Sequence, residues 1–389
     1  MSQQGGWGGW GGWGGWGGWG GGVGSASTLA DGFANPITAS ALVTSREASI
    51  DPIDQRRSFV LPEPPRNASA LERWEPWVRA DAVQQALFEG LMVSSVGSPC
   101  ELKWVSVTDD KARIVSIVTL SAPTVKAFRR QLDLVLSWAE LREERSAEIL
   151  AQIENQSAFV AAVPYLHPSR TPRTLELLGM AIQLAIGVEM RMKHELACWR
   201  PIQYSPYVQP MITTPGHGSL PSGHATQAYI VAHLLQSLLR LKIDHPTTVQ
   251  LQRQAARIAT NRVIAGVHFP IDSIAGRLLG TVLGEYFVAR CAAMTKSKVA
   301  KPMPWRARKF NGDDKVFEDR AIEFNPARQP LDGAAAGGIP AASFYEHLES
   351  NEAGKSGVTP HPMLMHCWQR AAAEWRGAAR PKFEKLTTS

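Results

Sequence analysis

Apolar residues recur at intervals of three and four along much of this 389-residue chain, most clearly over residues 175–186 and 228–239. This spacing places apolar side chains along one face of an α-helix. The pattern predicts helices over residues 80–93, 122–160, 173–197, 222–241, 247–264 and 270–293. The alternation typical of a β-strand is confined to residues 101–107. The sequence therefore predicts an all-α fold, a helical bundle with extended N- and C-terminal arms.

Composition divides the chain into four segments. Residues 1–24 form a Gly/Trp-rich tail, for which such a density of glycine predicts disorder. Residues 25–70, rich in Ser, Pro and Ala, are interpreted as an extended arm. Residues 71–293 carry the helical pattern and form the predicted catalytic domain, and residues 294–389 are interpreted as a C-terminal extension that wraps around it. The tail either binds a membrane interface or partner through its tryptophans or has no specific role.

Charge and cysteine usage narrow the class of protein. The net charge of +6 suits an anionic substrate or surface and does not indicate nucleic acid. The four cysteines lie far apart and form no CxxC pair, so we expect reduced, buried thiols.

The best candidate for a membrane span, residues 175–192, is interrupted by Glu176 and Glu189. The N-terminus also lacks the basic and aliphatic regions of a secretory signal, so we expect a cytoplasmic protein.

A basic stretch follows the last predicted helix. Its members, with no acidic residue between them, are Lys296, Lys298, Lys301, Arg306, Arg308 and Lys309. Such a stretch would suit anionic lipid or a phosphorylated partner, and the alternative is a solvated connector.

Three short segments carry cations and hydroxyls of the kind that bind an oxyanion. Lys193 and Arg200 lie at the end of a predicted helix, where Pro201 is expected to terminate it. Ser222 and Gly223 precede another helix and offer a hydroxyl and free backbone N–H groups at its N-terminus. Arg262 adds a guanidinium that can bind two oxygens at once. Together these groups predict a cage for a tetrahedral oxyanion.

Two histidines complete this predicted site. His268 and Asp272 are four residues apart, so one helical turn would bring the carboxylate to the imidazole. A carboxylate on one ring nitrogen leaves the other nitrogen free to act as a nucleophile. His224 then remains as the general acid for the leaving oxygen. This combination suits phosphoryl transfer through a phosphohistidine.

The pattern resembles the superfamily of type 2 phosphatidic acid phosphatases and vanadium-dependent haloperoxidases. Its signature is Lys-x6-Arg-Pro, Pro-Ser-Gly-His and Ser-Arg-x5-His-x3-Asp, and the chain departs from it only at Asn261, where the signature has serine. The matching residues are Lys193, Arg200, Pro201, Pro221, Ser222, Gly223, His224, Arg262, His268 and Asp272.

The resemblance implies roles for these residues. His268 would be the phosphorylated nucleophile of a phosphatase, with no cofactor, or the ligand of vanadate in a haloperoxidase. His224 would be the acid–base, and Asp272 would orient His268. The oxyanion would be bound by Lys193, Arg200, Ser222, Gly223 and Arg262.

Other residues near the signature have two interpretations each. His217 would line the mouth of the pocket or lie in a surface loop. Trp199 would form a pocket wall or pack in the core against the end of the helix. His361, His366 and Cys367 lack a partner set for a metal and are interpreted as structural.

The short gaps between the signature segments resemble those of the phosphatases, whereas the Trp-Arg-Pro run ending at Pro201 resembles the haloperoxidases. We expect phosphomonoester hydrolysis, with oxidation of halide by hydrogen peroxide as the alternative. A membrane-surface or scaffold protein is the second alternative. The expected partner is a small-molecule substrate; the Trp/Gly tail would suit peripheral membrane contact, and the long arms would suit a homodimer.

Overall fold

The structure is a computed structural model that describes residues 67–94, 97–108, 111–291, 307–310, 345–347 and 358–375, together with positions 37, 40, 41, 44 and 45. The Gly/Trp tail, nearly all of the 25–70 arm and most of the basic stretch lie outside these residues. No helix of the described part is long and apolar enough to cross a membrane.

Helices dominate the described residues, as the sequence predicts. They are α1 (Pro76–Phe88), α2 (Val125–Ser137), α3 (Arg142–Ala161), α4 (Pro172–Leu196), α5 (Pro201–Tyr204), α6 (Gly223–Leu238), α7 (Pro246–Ile264), α8 (Pro270–Cys291) and α9 (Pro362–Ala373). Three short 3₁₀ helices lie at Ala68–Arg73, Trp138–Leu141 and Pro206–Val208. Helix α6 packs against α4, α7 and α8, so it lies at the centre of the bundle.

Two of the predicted helices are divided differently. The stretch predicted as one helix over residues 122–160 consists of α2, a 3₁₀ turn and α3. The helix predicted over residues 80–93 ends at Phe88, because Gly90 adopts a positive φ of 78° and redirects the chain into a strand. Pro201 begins α5 rather than ending the preceding helix, which already ends at Leu196.

A small mixed sheet, largely missed by the sequence analysis, packs beside the helices. Its strands, in spatial order, are β1 (Leu91–Ser94), β2 (Cys100–Thr108), β3 (Lys111–Leu120), β4 (Arg308–Phe310) and β5 (Tyr345–His347). The strand β2 contains the stretch of residues 101–107 for which alternation was expected, and its residues 101–105 alternate between partly buried and buried positions. In β3, Val115, Ile117, Val118 and Leu120 are all buried, because α8 packs against this strand and β4 pairs with the edge of its second half, and the two-residue period is lost.

The C-terminal segment contributes to the bundle. Glu374, at the end of α9, accepts hydrogen bonds from the backbone N–H groups of Arg173 (2.7 Å) and Thr174 (2.9 Å). It thereby satisfies donors at the N-terminus of α4 from a position 200 residues along the chain.

His366 lies 2.9 Å from Glu72 rather than beside a cluster of metal ligands. The four cysteines are buried, as expected, and none of them forms a disulfide bond.

Candidate active site

A stripe of glycines on α8 brings two of the signature segments together. A Cβ atom at Gly276 would lie 2.6 Å from the carbonyl oxygen of Ser222, and one at Gly280 would lie 2.3 Å from that of Thr226. Only glycine permits such an approach of two helix backbones. The N–H of Ser222 also donates to the carbonyl oxygen of Asp272 at 2.8 Å. The N-termini of α6 and α8 therefore lie side by side.

Helix α2 positions the start of α8 from the other side. The Phe128 ring lies 4.9 Å from that of Phe269, and Tyr204 packs edge-on against Phe269 at 5.4 Å. The amide oxygen of Gln131 accepts a hydrogen bond from the backbone N–H of Ile271 at 2.9 Å. These contacts hold the segment that carries His268.

Lys193 lies fully buried in the last turn of α4. Its Nζ donates to the carbonyl oxygens of Gly218 (3.2 Å), Ser219 (3.1 Å) and Pro221. It therefore holds the loop that leads into α6, in addition to placing positive charge there. Burial lowers the pKa of Lys193 to about 8 against the opposing effect of Glu189.

Arg200 connects this loop to His268. Its guanidinium donates to the carbonyl oxygens of Val267 (2.7 Å) and His217 (3.0 Å). Its Nη1 lies 3.4 Å from Nε2 of His268, and its Nη2 lies 3.1 Å from Nδ1 of His217. Burial lowers the pKa of Arg200 to about 10, so it remains a cation at neutral pH.

The His268 imidazole is buried between Asp272 and Arg200. Its Nδ1 lies 3.1 Å from Oδ2 of Asp272, and its Nε2 faces Arg200. Burial lowers the pKa of His268 well below its usual value, and the nearby positive charges of Arg200 and Lys193 lower it further. The ring is therefore neutral at physiological pH, with its Nδ1–H donated to Asp272 and a lone pair on Nε2.

Asp272 is fully buried, and burial raises its pKa to about 7. The backbone N–H of Phe269 opposes this rise by donating to Oδ2 at 2.8 Å, and so do the positive charges of Lys193 and Arg200. Ser219 donates to Oδ1 at 3.4 Å. These donors favour the carboxylate that accepts the proton of His268.

His224 lies in the first turn of α6, where its Nε2 is 3.0 Å from the carbonyl oxygen of Gln152 on α3. A carbonyl within a regular helix would bond to the N–H four residues later. Helix α3 departs from helical geometry at Asn155, with φ −114° and ψ 30°, within the turn that follows this carbonyl. Burial, followed by the charge of Arg262, lowers the pKa of His224 to about 3.

Arg262 supplies donors that no described residue accepts. Its Nη2 donates to the carbonyl oxygen of Ile149 at 2.9 Å and to Oε1 of Gln152 at 3.3 Å. Its Nε and Nη1 are buried and have no hydrogen-bond partner among the described residues. Burial lowers the pKa of Arg262 to about 10, so the group stays charged at neutral pH. Unpaired buried N–H groups of a cation indicate a place for an anion.

Ser222 and Gly223 begin α6. The Ser222 hydroxyl is the N-cap and accepts from the N–H of Ala225 at 3.5 Å, so it has a structural role whether or not it also binds an anion.

Asn261 replaces the serine of the signature. It donates to Gln152 (3.0 Å) and accepts from Arg145 (3.3 Å), and thus connects α7 to α3.

The predicted residues of α4, α6, α7 and α8 therefore meet at one place. The positive charges of Lys193 and Arg200 lower the pKa values of both His224 and His268, and the charge of Arg262 lowers the pKa of His224. His217 and Trp199, each of which had two interpretations from the sequence, lie at the protein surface. His217 is a largely exposed loop residue beside Arg200, and partial desolvation of its ring, followed by the positive charge of Lys193, lowers its pKa to about 4. Trp199 is 67% exposed, so its expected packing in the core is wrong: it lies in the connection between α4 and α5.

The sequence analysis missed two residues that support the site. Gln152 holds His224, Asn261 and Arg262, and no motif marks it. Glu189 is fully buried against Gly223. A signal for Glu189 was present, since it precedes Lys193 by four residues on the same helical face.

Comparisons with known proteins agree with the signature. Residues 174–295 match the model of the PAP2 superfamily. No curated protein matches the chain. Among solved structures, the first transmembrane PAP2 type phosphatidylglycerolphosphate phosphatase from Bacillus subtilis is similar over 41% of this chain and 94% of that chain, with 18% sequence identity and a TM-score of 0.23.

Proposed function

We propose that this protein, in which residues 174–295 match the model of the PAP2 superfamily, hydrolyses phosphate monoesters through a phosphohistidine formed on His268. The observation that supports the proposal most directly is the pair of buried, unpartnered donors on Arg262, in a site that also holds a neutral imidazole. A tetrahedral dianion would supply the acceptors that these donors lack.

In the first step, Nε2 of His268 attacks phosphorus and the bond from phosphorus to the ester oxygen breaks. The Nδ1–H of His268 stays with Asp272, which stabilises the positive charge that develops on the ring. The cations Arg200 and Arg262 and the N-terminus of α6 would stabilise the negative charge on the phosphoryl oxygens.

His224 is proposed to protonate the leaving oxygen. Its Nε2–H is donated to the carbonyl of Gln152, so the transferred proton must be carried on Nδ1. The low pKa of His224 reflects burial beside Arg262, and the charge of a bound dianion would raise it. In the second step, water attacks the phosphohistidine, Nδ1 of His224 accepts its proton, and the Nε2–P bond breaks to release phosphate.

Vanadate is the alternative occupant. The donor set fits it, since the unpaired N–H groups of Arg262 suit a tetrahedral or trigonal bipyramidal oxyanion of either element. His268 would hold it through Nε2, with Arg200, Arg262 and Gly223 around its oxygens. When bound, vanadate would supply activation of hydrogen peroxide for halide oxidation.

One purified sample assayed in two ways tests the proposal. We expect release of phosphate from an aryl phosphate and inhibition of that release by vanadate, with loss of activity in His268→Ala. Vanadate-dependent bromination of a dye by peroxide, without phosphate release, would instead support the haloperoxidase. Binding to lipid vesicles that survives His268→Ala, with neither activity present, would support the membrane-surface alternative.

A further inference from the structure

Glu189 is a buried acid for which the proposed mechanism has no role. It lies on α4, one turn before Lys193, and its side chain is completely shielded from solvent. Charged carboxylates are rarely buried without a partner that compensates the loss of hydration. Its retention in an apolar helix face therefore needs an explanation.

The carboxyl group of Glu189 faces the first residue of α6. A Cβ atom on Gly223 would lie only 2.7 Å from Oε1 of Glu189. Oε1 also accepts a hydrogen bond from Nε2 of Gln227 at 2.8 Å, and Gln227 in turn accepts one from Gln156 on α3. Oε2 is buried and has no partner among the described residues.

The charges around Glu189 come from several elements. Lys193 on the same helix favours the carboxylate, whereas burial has the larger effect and raises the pKa of Glu189 to about 7. Helix α6 contributes His224 next to Gly223, α8 contributes Asp272, which acts on Lys193, and α3 contributes the neutral Gln156 through Gln227. Both the protonated and the ionised form of Glu189 are therefore populated near neutral pH.

An ionised Glu189 would repel an anion bound at the same helix N-terminus. Both negative groups would occupy the positive end of α6 and interact through a poorly hydrated interior. A neutral carboxylic acid at the same place removes this repulsion. We propose that Glu189 takes up a proton when a tetrahedral dianion binds beside Gly223, and so links oxyanion affinity to pH.

This inference rests on the oxyanion site of the proposed function, and it does not require turnover. Tungstate is a suitable probe because it remains a dianion between pH 6.5 and 8. Isothermal titration calorimetry in two buffers of different ionisation enthalpy gives the number of protons taken up for each tungstate bound. The 389-residue wild-type chain is compared with Glu189→Gln, which keeps the shape of the side chain and the contact with Gln227.

Free Glu189 is mostly protonated below its pKa and mostly ionised above it, so proton uptake rises with pH. From Glu189 we expect at most about one quarter of a proton at pH 6.5 and about nine tenths at pH 8. Glu189→Gln should lose this contribution. Between pH 7 and pH 8, the affinity of the wild type for tungstate should weaken about fivefold relative to that of Glu189→Gln.

Glu195→Gln is the matched control, since Glu195 lies on the same helix and pairs with Arg191 at 3.1 Å on the surface. It should take up as many protons as the wild type. Equal uptake by the wild type and Glu189→Gln, with circular dichroism showing that both are folded, would overturn the inference. Absence of tungstate binding would overturn the oxyanion site as well, whereas normal linkage without phosphatase activity would contradict only the proposed reaction.

Discussion

Nδ1 of His268 and Oδ2 of Asp272 lie 3.1 Å apart across the first turn of α8. The same Oδ2 accepts the backbone N–H of Phe269 at 2.8 Å, so the carboxylate is held by the segment that carries the histidine. This arrangement fixes the ring tautomer, and it directs Nε2 toward Arg200.

Asp272→Asn should lower kcat by about 10²- to 10⁴-fold without unfolding the protein. An amide can present an N–H to the ring and favour the wrong tautomer. The measurement is kcat for an aryl phosphate, with circular dichroism as a check of folding. Ser219→Ala is the control, because the Ser219 hydroxyl donates mainly to the carbonyl oxygen of Trp199 at 2.9 Å and only weakly to Asp272 at 3.4 Å, and it should change kcat less than about threefold. Retention of a tenth of the wild-type rate by Asp272→Asn would contradict the assigned orientation.

His224→Ala should affect substrates according to their leaving groups. A general acid contributes about 10²- to 10⁴-fold when the leaving oxygen needs a proton. We therefore expect a loss in that range for an alkyl phosphate and a much smaller loss for a nitrophenyl phosphate. Steady-state kinetics with both substrates measure the difference. An equal loss for the two would exclude His224 as the acid.

Arg262→Lys should lower kcat/KM by about 10²-fold and weaken inhibition by vanadate. Lysine keeps the charge but cannot present two fixed donors in place of the Nε and Nη1 of Arg262. Arg257→Lys on the same helix is the matched control, since Arg257 pairs with Glu148 at the protein surface. It should stay within about twofold of the wild type. Similar kinetics for the two variants would argue against an oxyanion at Arg262.

Gly280→Ala should destabilise the protein and reduce activity together. The added methyl group would lie 2.3 Å from the carbonyl oxygen of Thr226, so α6 and α8 must separate. Overpacking of this kind costs about 1–3 kcal/mol, or roughly 2–12 °C in Tm for a domain of this size. Gly216→Ala is the control, because a Cβ there meets nothing within 4 Å. Thermal unfolding distinguishes them, and equal Tm values would show that the helices do not pack this closely.

Much of the helical architecture was predictable from residue spacing. The helices of residues 173–197, 247–264 and 270–293 agree with α4, α7 and α8 to within a few residues, because each has a continuous apolar face. The sheet was harder to predict from the sequence. The end of strand β3 is buried where α8 packs against it and β4 pairs with its edge, both far along the chain, so its sequence lacks alternation.

The sequence by itself determined the relationships that span one helical turn. His268 and Asp272 must meet once residue 270 begins a helix, and Ser222 and Gly223 must offer their polar groups at the start of α6. Local geometry alone decides these contacts, since residues four apart lie on the same face of a helix.

Only the tertiary structure decided the contacts between helices. The approach of α6 to α8 along the glycine stripe, the contact of His224 with the Gln152 carbonyl on α3, and the position of Glu189 against Gly223 join residues 34 to 72 positions apart. Such contacts depend on how close two backbones can come and on which buried donors remain unpaired. Both are properties of packed helices, and no single segment of sequence carries them.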